Sequence, residues 1–112
     1  MYRNILVAID GSDTAHEALD HAIGLAEALR ARLTVMSVVP EIPAFVYRAP
    51  IDLAALEQDT QKETERWVRE AVERVPGSVS VTSVVRVGGT AEGISSQIAE
   101  GQHDLLVMGS RG

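Results

Sequence analysis

Four short segments carry the residues whose types and spacing could do chemistry. Asp10-Gly11-Ser12 sets a carboxylate beside a glycine, directly after an apolar run. Val38-Val39-Pro40 closes a second apolar run, Gly88-Gly89-Thr90 follows a third, and Gly109-Ser110-Arg111-Gly112 ends the sequence. A carboxylate is an acceptor, so Asp10 suits donors such as ribose hydroxyls. Ending a strand and helping to cap a helix suits it equally. The Gly109–Gly112 stretch could turn backbone N–H groups toward a phosphate, with Arg111 adding charge. A lone G-x-x-G is also an ordinary turn, and Gly88-Gly89-Thr90 carries the same two readings.

Other chemistries find little support. The sequence contains neither G-x-x-x-x-G-K-[ST] nor G-x-G-x-x-G, which argues against a P-loop ATPase or a nicotinamide dehydrogenase. With no cysteine there is no disulfide framework, thiolate nucleophile or thiolate metal site. His16 and His21 are five apart and do not share a helix face, and His103 precedes Asp104 at a strand entrance, at the end away from any ligand crevice. No metal site is expected. No serine has a histidine and an acid at motif spacing, and Ser12 reads as a helix cap. The formal charge of −6, from 16 acids against 10 bases, with no basic stretch, argues against nucleic-acid binding. It says nothing against a nucleotide held by backbone N–H groups. The opening Met1-Tyr2-Arg3-Asn4-Ile5 has no secretory pattern, and no apolar run approaches the ~18 residues of a membrane span. The expectation is a cytoplasmic protein with no membrane partner.

The elements that must position these segments follow from periodicity. Ile5 to Ile9 is a continuous apolar run, as expected of a strand buried on both faces. A helix is predicted over roughly 13–31, with Ala15, Ala18, Leu19, Ala22, Ile23, Ala26 and Leu29 on one stripe. Ser12, Asp13 and Thr14 are candidate caps, and Thr14 with Glu17 has capping-box spacing. The second strand is 33–39. Pro40, Pro43 and Pro50 keep 40–52 irregular, a long loop that suggests a lid or interaction element. Phe45 and Tyr47 in it could pack on the domain or meet a partner, packing being the expectation. A second helix covers 53–75, with Leu56, Thr60, Thr64, Trp67, Val68, Ala71, Val72 and Val75 inward. A third strand over 79–87 carries enough polar residues for an edge position. A third helix is predicted over 91–100, with Ala91, Ile94 and Ile98 inward, and a fourth strand over 105–108. The order β-α-β-α-β-α-β makes a parallel sheet with helices on both faces.

Taken together, the four segments resemble the universal stress protein family. Asn4 to Ser12 is similar to its first strand and turn. Val87-Gly88-Gly89-Thr90-Ala91-Glu92-Gly93-Ile94 resembles its G-x-P-x-x-x-I turn and helix, with Thr90 in place of proline. Asp104 to Gly112 is similar to its final glycine-rich turn, so the resemblance covers the whole sequence as one domain over 1–112. It implies a doubly wound, Rossmann-like α/β fold of the adenine-nucleotide alpha-hydrolase-like type. The implied strand order is 3-2-1-4, with the usual fifth strand missing. It also implies ATP as ligand, with Mg2+ as an optional companion, a sensor or regulator role in stress response, and a homodimer. On this resemblance the acidic ribose contact falls on Asp10, in the turn with Gly11 and Ser12. The adenine-contacting backbone falls near Val38, and Gly88 borders the nucleotide. The fingerprint G-x2-G-x9-G-[ST] places its first two glycines on Gly109 and Gly112, around Ser110 and Arg111. Its third glycine and Ser/Thr have no counterpart, and neither do a fourth helix and fifth strand, so the chain reads as lacking its C-terminal part. Two other functions compete. One is a nucleotide-independent interaction module built on Phe45-Val46-Tyr47. The other is a slow ATP phosphohydrolase using Asp10, for which no positioned base or metal set is evident.

Overall fold

The computed structural model of the chain describes residues 1–109. In chain order it has β1 (Asn4–Ala8), α1 (Asp13–Leu29), β2 (Arg32–Val39), a short 3-10 helix (Ala44–Arg48), α2 (Leu53–Arg74), β3 (Val81–Val87), α3 (Thr90–Gly101) and β4 (Leu105–Met108). The strands pair in parallel, in the order β3-β2-β1-β4. β1 sits inside the sheet and is covered on both faces, which is why Ile5, Leu6 and Val7 are all fully buried. Alternate side chains go to opposite faces. Ile5, Val7 and Ile9, with Leu33 and Val35, meet α1 and α2, while Leu6 and Met36 meet Ile94 of α3.

α1 lies close to the sheet because its inner stripe is mostly alanine: Ala15, Ala18, Ala22 and Ala26 are buried. Its N-cap is Ser12, whose Oγ accepts from the Ala15 amide at 3.2 Å. Thr14 therefore falls inside the first turn, and the Thr14–Glu17 capping box is not used. The helix ends earlier than the periodicity predicts. Arg30 turns left-handed (φ 54) and the Ala31 amide donates to the Ala26 carbonyl at 2.9 Å, a Schellman closure that sends buried Ala31 into β2.

Three packing expectations are corrected. α2 buries only Thr64, Val68 and Ala71, and Leu56 is exposed. A helix of 22 residues spans about 33 Å, longer than the strands beneath it, so its first turns project past the sheet. The loop after β2 contains the 3-10 helix, closed by Val46 N–H to the Pro43 carbonyl at 3.0 Å. It leaves Phe45 (75% exposed) and Tyr47 (60%) largely exposed rather than packed into the core, with Tyr47 on the wall of a cleft beside the strand ends. On α3 the buried positions are Ile94 and Gln97, and Ala91, in the first turn, is exposed. β3 is an edge strand with Thr82 and Ser83 exposed, as its polarity predicts; it starts at Val81, and Val79 is buried in the preceding turn.

The amino ends of the strands are tied by a polar chain. The Asn4 side-chain amide donates to the Gly101 and Gln102 carbonyls at 2.8 and 3.2 Å, which turns its Oδ1 toward His103 Nδ1 at 3.1 Å. Gln97 Oε1 accepts from Arg86 Nε and Nη2 at 3.2 and 3.0 Å, so its NH2 group faces His103 Nε2 at 3.1 Å. Both carboxamides are thereby oriented, and His103 must be neutral with its proton on Nδ1. Burial pushes the imidazole below its ordinary value of 6.5, against the opposing pull of the Asn4 backbone and of the Asp104 carboxylate. Asp104 accepts from the Arg3 and Asn4 amides, each at 2.9 Å, and those bonds hold its carboxyl below the usual range. His103 thus lies at the end opposite the glycine-bearing turns, as the sequence suggests.

Candidate functional site

In an open parallel sheet the ligand crevice forms at the carboxyl ends of the strands, where the winding direction reverses. Here the reversal lies between β1 and β4: α1 leaves β1 on one face, and α3 feeds β4 from the other. Asp10-Gly11-Ser12 and Gly109 both stand at that end. Asp10 Oδ1 accepts from the Ser12 amide at 3.0 Å and from the Ser12 hydroxyl at 2.5 Å. Ser12 Oγ also lies 3.0 Å from Thr14 Oγ1. One serine therefore caps α1 and orients an exposed carboxylate, so the two sequence readings of Asp10 describe a single turn. Gly11 bridges it at φ 80, a conformation that favours glycine.

Val38 meets the site through its backbone. Its side chain packs half-buried among Leu6, Met36 and Ile94. Along β2, alternate residues direct their amide and carbonyl to opposite neighbours. Met36 faces β1, since its carbonyl accepts from the Ile9 amide at 2.9 Å, and Val39 faces β3, since its carbonyl accepts from Gly88 at 3.0 Å. Val38 shares the parity of Met36 and so faces the β1 side. The β1–β2 pairing ends at Ala8 and Met36, and the Val38 amide and carbonyl point into the space beyond it, beside the Asp10 turn. A residue not singled out from the sequence shapes that gap. Buried Ser37 donates its hydroxyl to the Ile9 carbonyl at 2.7 Å. A lone serine within the apolar run of β2 was the signal.

Gly88 takes φ 131 where β3 ends, on the far side of β2 from Asp10. Gly109 is required by packing alone: a Cβ there would stand 2.6 Å from the Thr14 carbonyl oxygen and 3.0 Å from the Ala15 amide nitrogen. The exit of β4 thus runs against the first turn of α1. Ser110, Arg111 and Gly112, expected at the phosphate end, lie outside the described residues. A cleft of about 800 Å³ opens beside this crevice, between the ends of β2 and β3 and the loop above them. Val39, Glu41, Tyr47, Gln61 and Val87 are among the residues lining it. Val38 and Gly88 border that cleft without lining it. Among the described residues no group of three or more His, Asp or Glu could hold a metal ion, and no helix is long and apolar enough to cross a membrane.

A doubly wound parallel sheet ordered 3-2-1-4, with a carboxylate turn and a close-packed glycine at its switch point, is an α/β domain of the adenine-nucleotide alpha-hydrolase-like fold. Residues 1–112 match the universal stress protein family, and the chain belongs to that family. It is 30% identical over 120 residues to the universal stress protein YxiE of Bacillus subtilis (strain 168), spanning 100% of this chain and 81% of that protein. A universal stress protein family structure from Burkholderia pseudomallei superposes with a TM-score of 0.85 at 31% identity, over 97% of this chain and 82% of that one. Two more distant structures hold nucleotides. An Arabidopsis thaliana family protein with AMP bound has a TM-score of 0.75 at 17% identity, over 98% of this chain and 78% of that one. A universal stress protein in complex with cAMP has a TM-score of 0.71 at 23% identity, over 95% and 75%. At those identities the likeness carries the fold alone.

Proposed function

We propose that this chain binds an adenine nucleotide, ATP in particular, across the carboxyl ends of β2, β1 and β4, and acts as a nucleotide-responsive regulator in stress response. The observation that carries the reading is the Val38 backbone edge, turned into the space past β1 beside an oriented carboxylate. The amide and carbonyl of Val38 suit the donor and acceptor edge of adenine, and Asp10 suits the ribose hydroxyls. Gly109 and the Ser110-Arg111-Gly112 stretch that follows are the phosphate end of the proposal, and Mg2+ would accompany the phosphates. The AMP- and cAMP-bound relatives support the ligand class. The reading includes a cytoplasmic setting and self-association into a homodimer.

Calorimetry on the wild type and Asp10→Ala, with ATP, AMP and inorganic phosphate, with and without Mg2+, tests it. One charge-assisted hydrogen bond corresponds to roughly tenfold in affinity or more. Asp10→Ala is expected to lose at least that for AMP and to leave phosphate unchanged. Equal losses for both ligands refute the ribose contact, and wild type that takes up neither ATP nor AMP refutes the nucleotide reading. Light scattering over a concentration series tests the dimer. A second reading is favoured by the exposed Phe45 and Tyr47: a nucleotide-independent interaction surface on the 3-10 loop. Partner recovery that survives nucleotide removal and fails on loop truncation supports it; recovery unchanged by truncation refutes it.

A further inference from the structure

The Asp10-Gly11-Ser12 turn is held from above by the Ser12 bonds to Asp10. What lies beneath it is the indole of Trp67, the only tryptophan in the chain. A Cβ on Gly11 would overlap that ring, standing 2.7 Å from both Cζ2 and Nε1. Gly11 is therefore fixed twice, by its positive φ and by the ring against its Cα. Trp67 reaches the turn from the inner face of α2 and is itself packed against the main core. A cavity of about 210 Å³ lies there between α1 and α2, lined by Ile9, Gly11, Leu19, Trp67 and Ala71 among others. Core residue Ile9 leads into the turn, and the indole of Trp67 packs directly against its Gly11.

We propose that Trp67 is a positioning residue: its ring sets the height and tilt of the Gly11 turn and, through it, the direction of the Asp10 carboxylate toward a nucleotide ribose. This rests on the nucleotide reading above. It extends that reading by coupling ribose recognition to α2, an element that follows the long loop after β2. A ring that merely filled core volume would affect all ligands alike. A ring that aims Asp10 affects only the ligands that present ribose hydroxyls.

The test compares AMP with 2′,3′-dideoxy-AMP by calorimetry on the wild type, Trp67→Phe and Asp10→Ala. The wild type is expected to prefer AMP by about tenfold, as one charge-assisted bond requires, and Asp10→Ala to lose the preference. Trp67→Phe withdraws the indole edge nearest Gly11. It is expected to cut the preference to about two- or threefold while dideoxy-AMP affinity stays within about twofold. Denaturant melts establish that the variant is folded. Where it is not, the wild type decides: AMP shifts the emission of Trp67 and dideoxy-AMP does not. Trp67→Phe that keeps the full tenfold preference overturns this proposal alone, as does AMP bound with no change in emission. Wild type that binds neither nucleotide overturns the nucleotide reading, and this proposal with it.

Discussion

His103→Leu removes a ring that is hydrogen-bonded between two carboxamides already oriented by other partners. Asn4 Oδ1 loses the Nδ1–H donor and the Gln97 NH2 group loses its acceptor. Gln97 is buried, and its Oε1 is already committed to Arg86. Two hydrogen bonds at about 1 kcal/mol each, plus part of the cost of stranding a buried donor, come to about 2–3 kcal/mol. For a domain of this size that is a fall in Tm of about 8–15 °C. The pH dependence separates this network from simple packing. The folded state lowers the His103 pKa, so as pH falls below 6.5 the unfolded chain takes up the proton first. Stability is therefore full above pH 6.5 and declines as pH falls through the depressed folded value. Protonated His103 would set an Nε2–H against the Gln97 NH2 group; Gln97 cannot invert without turning its donors toward Arg86, which is ion-paired with Glu100. The neighbouring Asp104 carboxylate favours the charged ring and softens the decline. Urea melts of wild type and His103→Leu at pH 7.5 and 5.5 are the assay. The gap between them is expected to be about 2–3 kcal/mol at pH 7.5 and smaller at pH 5.5. A gap that is the same at both values refutes the tautomer argument, and a gap under about 0.5 kcal/mol refutes the network.

Three further outcomes follow from the site. Val38→Ala trims a half-buried side chain and is expected to leave AMP affinity within about threefold, whereas Val38→Pro, which deletes the amide facing the β1 side, abolishes measurable binding in calorimetry. Gly109→Ala drives a methyl into the Thr14 backbone and is expected to cost about 1–3 kcal/mol in a urea melt, even without any ligand. Ser37→Ala strips the Ile9 carbonyl of its side-chain donor and is expected to cost about 1–2 kcal/mol by the same measurement.

The elements and their order were legible because the signals were strong and local. Ile5 to Ile9 reads as a strand buried on both faces, borne out as β1 ending at Ala8, and the alanine stripe of α1 as a helix lying close against it. The crevice end was legible for the same reason, since each glycine-bearing turn follows a strand. What escaped was whatever depends on reach and on orientation. Periodicity gives the face of a helix but not how far the sheet extends beneath it, so Leu56 was expected inside and projects past the strands. Aromatic character gives no direction to Phe45 and Tyr47, because the backbone of a 3-10 turn aims them. The bond of His103 to Asn4 joins residues 99 apart in sequence, a juxtaposition that only the β1–β4 pairing creates. Trp67 was expected as core and packs, partly buried, against it, but its contact with Gly11 depends on where α2 lies across β2 and β3, which no local pattern encodes.

The crevice exists because β1 stops before β2 does. In an unbroken parallel ladder the Ile9 carbonyl would pair with the Val38 amide. Ser37 donates to that carbonyl in its place, so β1 can bend away into the Asp10 turn without leaving a buried acceptor unpaired. Two serines, Ser37 within β2 and Ser12 after β1, then act in sequence: the first takes the carbonyl where the pairing ends, and the second orients the carboxylate and starts α1. Gly11 supplies the left-handed step within the four residues, 9–12, that join β1 to α1. The chemistry of the site is thus a consequence of how the strand is terminated. On the nucleotide reading proposed above, changes at Ser12 or Ser37 act on ligand recognition and on fold stability together, because the same hydrogen bonds serve both.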